Sequence, residues 1–296
     1  MIRIVMDSQI LSALQKCEEF LNLRFNYNLK PIGGENKGIQ KGALMHIMLQ
    51  HYYLSKRDGK GVDDAATEAL RVGKLAIEGC QYCIAGMKCT DHKEELKGFD
   101  GLGIEDALET IETFKQYHEF WRNDSWTTIN VEHVKGKVIY EDDTLSLLWK
   151  AKIDWEVDTL EGMFSVDHKT ASRRENTVDL NNQFKGQCIV TEQSKMFINK
   201  IGFQKTLKPN EKFERIAIPY TKEILSEWVI ECASYAYDLM ELHETGRYRH
   251  RQVSCKNTFG ACIFAPVCSG QPTDRERIIR EKFKMADKAW DVNNDE

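Results

Sequence analysis

Two β-type runs, KAKIDWEV and MFSVDHKT, lie between Lys150 and Thr170 and carry the residues best suited to chemistry. Asp154 sits in the first, and Asp167-His168-Lys169 closes the second. The polar turn Asp158–Gly162 joins them, so the pattern predicts a hairpin with both carboxylates and the lysine at one edge of a sheet. Two hard oxygen donors beside an ammonium suit a Mg²⁺ or Mn²⁺ ion holding a phosphate, with the lysine near the attacking water. That is equipment for phosphodiester cleavage. A surface hairpin with charged tips fits the same pattern, so the rest of the chain has to decide.

Composition narrows the class. The 296 residues can bury a sizeable core, and 42% hydrophobic with 29% charged residues is ordinary for a soluble globular protein. No apolar run approaches membrane-spanning length and MIRIVMDSQ lacks a signal-peptide core, so a cytoplasmic protein with no membrane contact is expected. In that compartment the 9 cysteines are poor candidates for disulfides and better ones for metal or cluster ligation. A net charge of −5 gives no global basic signature, so contact with nucleic acid must come from a local patch.

The elements that would position these residues can be read in order. Asp7 or Ser8 caps a first helix with Ile10, Leu14, Cys17 and Leu21 on its apolar side. A second runs from about Lys41 through Leu44, Ile47 and Met48, and His46 falls near the border of its apolar face. Taken alone, that histidine reads as a packing or surface residue. Residues 62 to 122 are helical, the later helix carrying a stripe of Ile104, Leu108, Ile111, Phe114, Tyr117 and Trp121. Between these helices, Cys80, Cys83, Cys89 and His92 have a spacing that a zinc knuckle or the end of an amphipathic helix could explain. Strands start near Trp126. After the hairpin come a basic loop with Arg173 and Arg174, a helix with Gln183 and Gln187 on one face, two strands, and a helix from Thr221 to Gly246. The tail holds the Arg247–Arg251 cluster and Cys255, Cys262 and Cys268.

Together these pieces resemble the RecB-like branch of the PD-(D/E)XK nuclease superfamily, especially phage-encoded relatives and the iron–sulfur nucleases of the AddB and CRISPR-associated exonuclease type. The motifs match in order over nearly the whole chain. A Gly-x3-His helix corresponds to Gly42–His46, a strand-ending Asp to Asp154, and Asp-x-Lys to Asp167-His168-Lys169. The Gln-x3-Tyr helix corresponds to Gln183, with Gln187 in place of the tyrosine, and Ile153 stands where the family name has proline.

The resemblance implies an α/β fold with a restriction-endonuclease-like core: a mixed central sheet flanked by helices, in a single domain 1–296. A helical insertion at about 60–125 and a cysteine-bearing tail at about 247–296 complete it. It implies a Mg²⁺- or Mn²⁺-dependent deoxyribonuclease, with an exonuclease mode favoured, acting in recombination, repair or phage DNA processing. Its metal ligands would be His46, Asp154, Asp167 and the main-chain carbonyl of His168. Lys169 and Gln183 would complete the catalytic set. Arg173, Arg174 and the Arg247–Arg251 cluster are candidate contacts to the DNA backbone, and a solvated charged face fits each of them equally well. Cys17 with Cys255, Cys262 and Cys268 would hold a 4Fe–4S cluster; a zinc site or uncoordinated thiols are the alternatives, and Cys80, Cys83 and Cys89 form the rival ligand set. Partners would be single-stranded or linear duplex DNA and a helicase or recombination protein, in the host cytoplasm for a phage-encoded chain. A catalytically silent DNA-binding or scaffold protein, or a zinc-binding regulator, is the alternative class.

Overall fold

Leu145, Leu147, Trp149, Ala151, Ile153, Trp155 and Val157 alternate along one run, and all seven are buried. A strand with one face in the core has this pattern, and it forms the axis of the fold. The computed structural model describes residues 1–32, 37–78, 102–171, 180–204, 206–257 and 260–286. The chain opens with β1 (Ile2–Met6), a helix α1 (Ser8–Lys16), the short helix Glu18–Leu21 and β2 (Leu29–Pro31). Three long helices follow, α2 (Lys37–Arg57), α3 (Val62–Glu78) and α4 (Ile104–Phe120). Then come β3 (Thr127–Glu141), β4 (Leu145–Thr159), β5 (Gly162–Ala171), α5 (Asn182–Thr191), β6 (Lys195–Gly202), β7 (Phe213–Pro219) and α6 (Lys222–Thr245). The tail adds β8 (Lys256–Asn257), β9 (Gly260–Ala261) and β10 (Phe283–Met285) with short helices around them.

The main sheet is mixed and six-stranded, in the order β1-β4-β5-β6-β7, with β3 on the other edge of β4. Helices flank it, as expected from the sequence. β1–β4 and β5–β6 run parallel, and the remaining pairs are antiparallel. β4 and β5 form the expected hairpin, closing at Thr159 opposite Gly162. One edge of β4 is divided. β1 pairs with it as far as Trp149, and β5 joins only from Trp155. Residues 150–154 lie in the fork between them, and this fork positions the site.

Three clusters pack on the sheet, one of them Phe184 and Cys188 of α5 on Met196, Ile198 and Ile218. Leu44, Tyr53, Ala69, Phe114 and Tyr117, from α2, α3 and α4, share a core with Trp155 and Phe213. Leu11, Leu14, Trp228, Cys232 and Leu239, from α1 and α6, surround Trp149. α6 begins at its Thr221 cap and ends at Gly246, whose φ of 62° suits a residue without a Cβ. β2 pairs with β10, tying the first thirty residues to the tail over Leu29, Phe264 and Phe283.

Three expectations need correction. β1 was not expected, because its five residues are too few to show a period. The first helix breaks at Cys17, whose φ of −173° and ψ of 127° are extended, although the thiol is buried as expected. In α4, Ile104 and Leu108 are exposed, while Ala107, Thr110 and Thr113 face inward with Phe114 and Tyr117. The threonine hydroxyls bond back to the carbonyls of Asp106 and Glu109, which lets them be buried at little cost. Among the described residues, no helix is long and apolar enough to cross a membrane.

Candidate active site

Two glycines set the helices against the sheet. A Cβ on Gly42 would lie 2.7 Å from Thr170 Oγ1, so this glycine lets α2 approach β5 one turn before His46. A Cβ on Gly186 would lie 2.2 Å from Trp149 Nε1, so α5 rests directly on the indole and carries Gln183 and Gln187 over the fork. Close approach, more than turn geometry, explains both glycines.

Within the fork, His46 Nδ1 comes to 3.6 Å from Asp154 Oδ2. The amide of His168 donates to the same Asp154 oxygen over 2.8 Å, and the His168 backbone also acts on the His46 imidazole. That peptide unit therefore lies between the two candidate ligands. Asp167 is buried and belongs to a closed ring of contacts. Lys169 Nζ lies 2.8 Å from Asp167 Oδ2 and donates to Gln183 Oε1 over 2.9 Å, and Gln183 Nε2 donates to Asp167 Oδ1 over 2.6 Å. Gln187 is also buried, its Nε2 3.2 Å from the Lys152 carbonyl and 3.5 Å from Asp167 Oδ1. The sequence-predicted residues His46, Asp154, His168, Asp167, Lys169 and Gln183 thus meet in one place.

Glu132, which the sequence reading did not single out, joins them. It stands on β3 opposite Asp154, between the pairs Val131–Trp155 and His133–Ile153. One ligand atom each from His46, Glu132 and Asp154 lie within 4.8 Å of one another. Lys152 Nζ is 3.0 Å from Glu132 Oε2.

Burial, followed by the charges of Asp167 and Glu132, holds the Asp154 carboxyl well above the ordinary carboxylate range. Burial also lowers the His46 pKa, with Asp167 and Glu132 opposing it, so the imidazole is neutral near pH 7 with a lone pair to donate. His168 is pushed well below the usual histidine range, first by burial and then by the nearby positive groups. Its ring packs against Tyr53 and Trp155, and Nδ1 is 2.8 Å from Asn199 Nδ2. The ring also meets the His46 imidazole edge to face, with centroids 5.8 Å apart, so it supports that candidate ligand from behind. Clustered carboxylates with a neutral imidazole form a donor set that could hold a metal ion.

A cleft of about 230 Å³ opens beside Asp154 and Gln183, lined also by Ser8, Gln9, Lys150 and Lys152. No family model matches the sequence, and no curated protein matches it. Solved structures do show likeness. One, described as "Putative exonuclease" from Eubacterium rectale, aligns over 84% of this chain and 85% of its own, at 10% identity and a TM-score of 0.46. Another, described as SSO0001, aligns over 58% of this chain and 71% of its own, at 11% identity and a TM-score of 0.30. Both scores are below 0.5, so the functional reading rests on the geometry of the site itself.

The sequence-predicted cysteines also converge. Cys17 Sγ accepts from the Arg251 amide over 3.4 Å, and Cys255 Sγ lies 4.0 Å from the Arg251 carbonyl. The Cys262 amide donates to the Cys255 carbonyl, and Cys262 and Cys268 pack beside Phe264 and Phe283. Burial, then Glu19 and the other three thiols, pushes Cys268 up to about 11. Two of the expected DNA-contacting arginines are already engaged. Arg249 forks onto Glu18, and Arg251 reaches the Gln15 carbonyl, holding the tail to the N-terminal helices. Arg173, Arg174, Cys80, Cys83, Cys89 and His92 lie outside the described residues.

Proposed function

We propose that the chain is a metal-dependent deoxyribonuclease with a RecB-like active site. The observation that carries this reading is the convergence of His46, Asp154 and Asp167 on the ring formed by Lys169 and Gln183. His46, Asp154, Asp167 and the His168 carbonyl would hold Mg²⁺ or Mn²⁺. Bound there, the ion would polarise a phosphoryl oxygen and lower the pKa of a water. Lys169 orients that water and offsets the negative charge that builds on phosphorus during attack. Gln183 fixes the lysine against Asp167. Lys150 and Lys152, at the cleft, are the described cations best placed to meet the backbone of the scissile strand.

A silent scaffold would gain nothing from the buried carboxylates. Burying Asp154 beside Asp167 is unfavourable even with Lys169 on Asp167, as the raised pKa of Asp154, caused first by burial and then by the Asp167 charge, records. In the test, linear duplex and single-stranded DNA are incubated with the protein and Mg²⁺ or Mn²⁺. The Asp167→Ala variant should retain the fold and lose cleavage. A folded Asp167→Ala protein that still cleaves at the wild-type rate would defeat the proposal.

The four converging cysteines support a 4Fe–4S cluster linking the N-terminal helices to the tail.

A further inference from the structure

The buried His168 side chain belongs to a closed circuit of contacts behind the site. Its Nδ1 lies 2.8 Å from Asn199 Nδ2, and the two residues are partners in the β5–β6 register. The same Asn199 amide donates to the Tyr117 hydroxyl of α4 over 2.8 Å, and that hydroxyl meets the Tyr53 hydroxyl of α2. The Tyr53 ring lies nearly parallel to His168, with centroids 5.7 Å apart, which closes the circuit. β5, β6, α4 and α2 thus supply one member each, and all four side chains are buried.

The direction of the central bonds follows from their atoms. An amide nitrogen only donates, so His168 Nδ1 accepts and the imidazole proton sits on Nε2. Among the described residues, His168 Nε2 and Asn199 Oδ1 are buried without a hydrogen-bond partner. Unpaired buried polar atoms are costly, and an apolar core of the same shape would avoid that cost. What the polar circuit adds is a fixed arrangement of the elements that it joins.

Those elements carry the site. Tyr53 stands about two turns after His46 on α2, so the circuit grips the helix that bears the imidazole. His168 lies between Asp167 and Lys169 on β5. Its amide donates to Asp154 over 2.8 Å, and its ring meets the His46 imidazole. His168 therefore touches two candidate ligands, while Asn199 holds its far end.

We propose that Asn199 is a positioning residue for the site: the circuit it forms with His168, Tyr117 and Tyr53 sets His46 against Asp154 and Asp167. Asn199, Tyr117 and Tyr53 do not line the cleft, so their effect passes through His168 and α2. The consequence for metal binding rests on the nuclease reading above, whereas the effect on His46 does not.

The test compares the full, metal-free chain with three variants. Asn199→Leu keeps a branched side chain and breaks the circuit at its centre, and Tyr117→Phe removes one hydroxyl from it. Phe114→Leu alters the same buried core on α4 and leaves every member of the circuit in place. Nuclear magnetic resonance of the histidine nitrogens reports the surroundings of His46 without any ion. Titration with Mn²⁺, followed by electron paramagnetic resonance, then reports affinity. Asn199→Leu should shift the His46 resonances and weaken Mn²⁺ binding on the order of tenfold, the low end for losing a residue behind a metal ligand. Tyr117→Phe should do the same to a smaller extent. Phe114→Leu should lower the melting temperature and leave both readouts at their wild-type values. Unchanged Mn²⁺ affinity in folded Asn199→Leu, or an equal loss in Phe114→Leu, would overturn the inference. If Asn199→Leu does not fold, Tyr117→Phe decides in its place. Resonances that shift in a protein whose wild type binds no Mn²⁺ would defeat the metal reading and leave the positioning role standing. Tight Mn²⁺ binding that Asn199→Leu leaves unaltered would do the reverse.

Discussion

Lys169 donates to Gln183 over 2.9 Å, and the same amide turns its nitrogen to Asp167 at 2.6 Å. One side chain from α5 thereby fixes both the ammonium and the carboxylate on β5. Gln183→Ala frees both groups and should lower DNA cleavage on the order of 10²-fold, the usual cost of losing one well-placed transition-state group. Gln183→Glu, which keeps an acceptor for the lysine but sets a second negative charge against Asp167, should not restore it. A single-turnover rate within twofold of wild type in Gln183→Ala would refute this positioning role.

The two glycines that seat the helices should differ in their tolerance of a methyl group. At Gly186 the new Cβ meets three atoms of the buried Trp149 indole at 2.2 to 2.8 Å, and the ring has no room to turn away. Gly186→Ala should cost about 1–3 kcal/mol, the range for overpacked cores. At Gly42 the Cβ meets the Thr170 hydroxyl at 2.7 Å, while the Thr170 Cβ stays at 4.0 Å, so rotation of the hydroxyl relieves the contact. Thermal melting checks the order. A smaller loss in Gly186→Ala than in Gly42→Ala would be the wrong outcome.

The raised pKa of Asp154 fixes the sign of one pH dependence. Without cations the folded chain binds this proton more tightly than the unfolded chain. The contribution is complete below the ordinary value of 3.8 and is lost as pH rises toward the higher folded value. Compared with Asp154→Asn, wild type should lose melting temperature as pH rises from about 4, and Mn²⁺ should restore more of it at the higher pH values. A wild-type-to-Asn difference that stays constant with pH would contradict this account.

Much of the site was legible because its residues lie on elements that sequence patterns reveal well. The hairpin bearing Asp154, Asp167 and Lys169 shows as two alternating runs around a polar turn, and Gln183 sits at the start of an apolar helix. His46 needed the family resemblance, since one histidine near an apolar border has no signature of its own. Glu132 was not legible. It faces Asp154 only through the β3–β4 register, which shifts at Thr128/Asn130 and Val138/Tyr140, and irregularities of that kind cannot be counted from sequence. Residue-level hydropathy also misjudged α4, where threonines satisfied by their own helix face inward and Ile104 and Leu108 face out.

The tail makes a separate prediction. Purified without oxygen, the protein should be brown and carry about four irons per chain, as a four-thiolate cluster requires. Cys17→Ser and Cys268→Ser should each lose iron. Glu18→Ala should also lower iron retention, because Arg249 and Arg251 then lose the carboxylate that holds the tail beside Cys17. A colourless preparation with stoichiometric zinc would refute the cluster.

The most direct test of the central claim is cleavage of end-labelled linear DNA by wild type and Lys169→Met, with Mg²⁺ or Mn²⁺ and then with excess chelator. Wild type should cleave only when the metal is present, and Lys169→Met should be inactive while keeping the wild-type circular dichroism spectrum. Wild-type protein that leaves the DNA intact with both metals, or folded Lys169→Met that matches its rate, would contradict the account.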